Sequence, residues 1–234
     1  MKRINFLLTL LSLNAVLVTI ERFSFTTRII LQPYSFLRLH EVVQITIIIL
    51  ISVVVPFFLL KEISRGFDTL KSTRGTLLGL LFIVGLYFYA TGNGLHEVAS
   101  YLFNTFCDTK KITSTLCGSM FFNDYYTGNI LYFIGLILTN LSLTLLELMS
   151  PSQKYAAKDM IVLIINSLVL ALTFFAYAAF DRVLVGLVYV IISALVFTPI
   201  LLINRKNYNK LPFTTYTALA YILSSIASII VRVG

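Results

Sequence analysis

The chain has 234 residues, 58% hydrophobic and 12% charged, with a formal net charge of +8. Soluble domains carry about 25% charged residues, so a chain this apolar with half that charge cannot coat a water-facing globule. Its 18 basic residues are scattered through short polar connections without a dense patch, which argues against a nucleic-acid partner and for contacts with membrane lipid headgroups.

A bilayer core of about 30 Å takes roughly 20 apolar residues in a helix. Seven stretches meet that length: 4–20, 42–60, 75–92, 125–146, 159–179, 183–203 and 213–231. Each is free of charge except near its ends. The alternation of apolar and polar residues that a membrane barrel needs does not recur. The expected fold is all-α: a multi-pass bundle of seven transmembrane helices forming one domain over 1–234.

The first stretch follows Lys2 and Arg3, as a secretory leader would, but it is long. Glu21-Arg22-Phe23-Ser24 also offers no small-x-small cleavage pattern, so it reads as a retained helix. A long connection, 21–41, leads to a second span that opens on His40, Glu41 and Gln44. The third span closes on Thr91-Gly92-Asn93-Gly94-Leu95-His96-Glu97. Gly92 and Gly94 on either side of Asn93 suggest a bend there. Beyond it Asn93, His96, Glu97, Ser100 and Asn104 recur on one helical face. This predicts a short amphipathic helix, lying at the interface or covering a cavity mouth.

The fourth span follows Asn123-Asp124-Tyr125-Tyr126, where Asp124 reads as an N-cap that can also face a pocket. Asn129, one turn deeper, needs a partner in lipid. Asp181 and Arg182 alone separate the fifth and sixth spans, which predicts a tight antiparallel hairpin. Two polar stripes, Asn140/Thr144/Glu147 and Thr217/Tyr221/Ser224/Ser225/Ser228, read as helix-packing faces.

With seven spans, Lys and Arg divide eleven to seven between the two sets of loops. The excess on the N-terminal side predicts a cytoplasmic N-terminus and an outside C-terminus. Cys107 and Cys117 then share an extracytoplasmic loop and read as a disulfide.

On this topology the polar span ends gather at one outer level of the plasma membrane, and both histidines of the chain lie there. His96, Glu97, His40 and Asp124 are the candidate catalytic residues, because imidazole and carboxylate together can move a proton near neutral pH. Asn93, Asn129, Glu41 and Tyr125 are the candidate substrate contacts. His40, His96 and Asp124 could also form a two-histidine, one-carboxylate site for a divalent metal such as zinc, although neither HExxH nor HxxxH is present. The expected activity is hydrolysis or acyl transfer on a lipid or lipid-linked substrate. The alternative is a transporter, a receptor-like module for a small neutral or apolar ligand, or a subunit of a membrane complex.

Overall fold

Amide and hydroxyl side chains, as much as oil, tie the first helix to its neighbours. In the computed structural model, which describes the backbone of Lys2–Gly234 and the side chains from Arg3 onward, the fold is a bundle of seven long helices. They are α1 (Lys2–Glu21), α2 (Leu39–Ile63), α3 (Thr73–Phe106), α4 (Thr115–Met149), α5 (Ala157–Phe180), α6 (Val185–Ile203) and α7 (Pro212–Val233). All seven are long and apolar enough to cross a membrane. The side chain of Lys2, counted above with the N-terminal charges, lies outside the described residues. Among the described residues the sole β pairing is an isolated bridge between Ile30 and Arg38.

Polar groups in lipid must find protein partners, and α1 finds them on α5 and α2. Asn5 Nδ2 donates to Asp159 O at 3.1 Å, Asn166 Nδ2 to Thr9 Oγ1 at 2.9 Å, and Ser12 Oγ to Asn166 O at 3.0 Å. Asn14 Nδ2 reaches Ser52 Oγ at 2.5 Å.

Two helices depart from the sequence expectation. The helix does not end at Gly92–Gly94: α3 continues unbroken for 34 residues, about 50 Å at the helical rise. α4 likewise starts at Thr115, ten residues before the expected boundary at 125. The predicted amphipathic flap is therefore the upper part of α3 itself. The reason is packing: Glu97, Ala99, Tyr101 and Phe103 are all buried, so continuing the helix covers both polar and apolar side chains. Cys107 and Cys117 are bonded, at 2.03 Å, across the short turn that remains between α3 and α4.

That same pair of helices makes the closest approach in the bundle. Glycines stand seven apart on each: Gly85 and Gly92 on α3, Gly128 and Gly135 on α4. A Cβ placed on Gly92 would lie 2.2 Å from Tyr132 N, and one on Gly135 would lie 2.2 Å from Tyr89 N. A Cβ on Gly128 would meet the backbone of His96 at 2.8 Å. Spacing of two turns puts each pair on one helix face, and the small side chains let the backbones touch. This seam fixes the relative height of the two helices.

Helix α7 is the most deeply enclosed element, with Phe213, Tyr216, Thr217, Ala220, Tyr221, Ser224 and Ser228 buried. Its N-terminus is capped from another helix. Glu147, on α4, accepts from Phe213 N at 2.9 Å, Thr214 N at 2.8 Å and Thr214 Oγ1 at 2.7 Å. A carboxylate there satisfies orphan amides and meets the positive end of the helix dipole. Asn140, two turns away on α4, donates to Tyr221 OH at 2.7 Å. Within the stripe read as generic packing, Asn140 and Glu147 thus make specific interhelical bonds, while Thr144 packs without a hydrogen bond.

A charged vestibule above a buried chamber

At the disulfide end of the bundle α1, α2, α3 and α4 present their polar termini to one another. Asp124 is the residue whose placement departs furthest from expectation. It is not an N-cap but lies inside α4, in a π turn over Asn123–Gly128. A π turn inserts one residue into the helix and re-aims the side chains around it. Asp124, 2% exposed, points at α3. Its Oδ1 lies 2.9 Å from His96 Nδ1, and its backbone carbonyl lies 3.0 Å from the same nitrogen. Both partners are acceptors, so in the neutral ring the proton sits on Nδ1. Nε2 is left as the basic lone pair.

His40 belongs to a second group. Its Nδ1 is paired with the carboxylate of Glu21 at the end of α1, and its Nε2 stands 3.6 Å from Glu97 Oε2. Glu97 therefore faces His40, and Asp124, not Glu97, orients His96. Glu41 is turned to Arg38: it accepts from Arg38 N and Nε, each at 2.9 Å, and pairs with the Arg38 guanidinium. Glu21 also accepts from Gln44 Nε2 at 3.4 Å. Asn129 spends its amide nitrogen on Asp124 O at 3.2 Å and Tyr125 O at 3.1 Å. Tyr125 packs against Phe121 in a tilted arrangement, 4.7 Å between centroids, and the Arg182 guanidinium lies 5.1 Å from the Phe121 ring.

These residues surround a polar cavity of about 490 Å³, walled by Arg22, Arg38, His40, Glu41, His96, Glu97, Ser100, Asn104, Asp124 and Asp181 among others. Of the α3 face identified from sequence spacing, His96, Glu97, Ser100 and Asn104 wall this vestibule, while Asn93 lines a second cavity. That cavity lies below the vestibule, about 400 Å³ in volume, lined by apolar and aromatic side chains with Asn14, Ser52, Asn93, Thr139 and Asn140 set among them. Arg22, His96, Glu97, Asn129 and Tyr177 border both. The charged layer is thus the floor of one space and the roof of the other.

Asp181, at the end of α5, has one oxygen bound by Arg182 N at 2.7 Å, while its Oδ2 is buried without a partner. Burial pushes its carboxyl above the usual range, against the pull of the Arg182 amide.

The metal expectation is not met by this arrangement. Among the described residues no three His, Cys, Asp or Glu converge as a ligand set. The reason is that each histidine is already paired with carboxylates on neighbouring helices: His40 with Glu21 and Glu97, His96 with Asp124. Sequence reasoning missed Arg22 and Tyr177 as cavity walls and Glu21 as the partner of His40. It also missed Asn14, although an amide in the middle of an apolar span signals a partner or a ligand. Comparison of the chain with protein families, with characterised proteins and with solved structures finds no match.

Proposed function

We propose that this integral membrane protein is a hydrolase or acyltransferase for a lipid-like substrate, with the polar head in the vestibule and the apolar part in the chamber. The single observation behind this reading is His96 on the boundary of the two cavities, its Nδ1 hydrogen-bonded to the Asp124 carbonyl at 3.0 Å and 2.9 Å from the Asp124 carboxylate. An imidazole oriented by a carboxylate, with the opposite nitrogen free, is the arrangement of a general base. Water attacks the acyl carbonyl carbon while His96 Nε2 takes its proton. The carbonyl oxygen gains the negative charge, and the buried Asn93 amide, which has an unpartnered Nδ2, donates to it. The C–O bond to the leaving group then breaks, the alcohol departs with the proton from Nε2, and an acid remains. An alcohol in place of water gives acyl transfer.

The test uses purified full-length protein and 2-hydroxyethyl dodecanoate, with release of dodecanoate as the readout. His96→Ala should lower turnover by about 10²–10⁴-fold while thermal unfolding in detergent is unchanged. Full turnover in that variant would remove the catalytic role.

A second reading, a binding or transport module for a neutral or apolar ligand, is favoured by one feature. No hydroxyl or thiol among the described residues is hydrogen-bonded to His96 Nε2, so the chain supplies no nucleophile of its own there. Uptake of the same ester into proteoliposomes, without release of acid, distinguishes it.

The excess of Lys and Arg on the N-terminal side supports a cytoplasmic N-terminus, an outside C-terminus and a vestibule on the outer face of the plasma membrane. An impermeant amine reagent applied to intact cells should then modify Lys110 but spare Lys206. The reverse pattern overturns the orientation.

A further inference from the structure

We infer that the apolar chamber selects a ligand carrying a secondary amide within its apolar portion, a substrate class narrower than lipid in general. The inference rests on the reading of the two cavities as a site for a lipid-like molecule.

Asn14 and Asn93 carry it. Both are buried, 6% and 5% exposed, and both line the chamber. Ser52 Oγ donates its hydrogen to Ile48 O at 2.9 Å. A hydroxyl has one hydrogen, so toward Asn14 that oxygen can only accept. The nitrogen of Asn14 therefore faces Ser52, at 2.5 Å, and its Oδ1 is left as a buried acceptor without a partner. On α3, in the wall of the same chamber, Asn93 Nδ2 is a buried donor without a partner.

Asn14 stands seven residues before Glu21 on α1, and Asn93 four residues before Glu97 on α3. At the helical rise these are about 10 Å and about 6 Å beneath the carboxylates. One unfilled acceptor and one unfilled donor in the wall of the same chamber match the N–H and C=O of a secondary amide. A plain hydrocarbon tail would leave both unpaired in a medium without water, where an orphan polar group is most costly. An ester fills the donor and leaves the acceptor.

The experiment compares N-dodecanoylethanolamine with 2-hydroxyethyl dodecanoate, which differ by N–H against O. Displacement of a fluorescent fatty-acid probe is measured on the full chain carrying His96→Ala, so that turnover does not interfere. The amide should displace the probe roughly tenfold more tightly than the ester. Asn14→Leu should abolish that difference while leaving the ester unchanged. Equal displacement by the two ligands, as expected if water alone fills the polar positions, overturns the inference, and needs no variant at position 14. So does an amide preference that survives Asn14→Leu. Failure of the catalytic reading is seen separately, as ester turnover retained in His96→Ala.

Discussion

His96 on α3 and Asp124 on α4 meet at 2.9 Å one turn from the place where Gly128 lies against the His96 backbone. The proposed base and the group that orients it are thus joined along the glycine seam between α3 and α4. Their separation is set by a backbone contact, so little side-chain entropy is lost in forming the pair, and the geometry exists before any substrate arrives.

Substituting Asp124 with Asn should lower turnover by about 10²–10⁴-fold, because an amide can present an N–H to Nδ1 and stabilise the wrong tautomer. The fold should persist, since the change is nearly isosteric. Steady-state kinetics together with thermal unfolding check both halves, and an Asp124→Asn protein of full activity would leave His96 without its orienting partner.

Gly135→Ala should destabilise the bundle by about 1–3 kcal/mol through overpacking, because its Cβ would lie 2.2 Å from Tyr89 N. Gly94→Ala is the control. A Cβ there meets nothing within 4 Å, and alanine favours the helix. Unfolding in a mild detergent should rank the two variants on opposite sides of the native protein.

Glu147→Ala removes the acceptor for two backbone amides and one hydroxyl at the start of α7. The loss of a buried cap of this kind costs about 1–3 kcal/mol. Hydrogen exchange should increase first in the opening turn of α7, ahead of the rest of that helix. Uniform exchange along α7 would show that the cap is not what holds its end.

Asp181 has a carboxyl raised above the ordinary range by burial. A raised folded-state value means that the folded protein binds more protons than the unfolded chain between the two values. The contribution to stability is fully present below the unfolded value and is lost as pH rises through the folded one. Thermal stability should therefore fall with pH across the upper carboxylate range, and Asp181→Asn should flatten that dependence. An unchanged slope in the variant would assign the effect elsewhere.

Composition and hydropathy alone dictate seven apolar helices, because a chain with this little charge must be covered by lipid and a lipid-covered backbone must satisfy its own hydrogen bonds. Sequence spacing also suffices to put Asn93, His96, Glu97, Ser100 and Asn104 on one face, since 3.6 residues per turn is a local property. The cysteines, ten apart in one connection, were legible for the same reason. What spacing cannot carry is contact between helices. That Glu97 faces His40 while Asp124 takes His96 depends on the π turn at Asn123–Gly128 and on the height set by Gly92 and Gly135. That α3 continues unbroken through Gly92–Gly94 depends on neighbours that bury Glu97 and Tyr101. The helices come from local chemistry and the solvent, whereas the pairing of acids with bases comes from backbones pressed together by residues far apart in the chain.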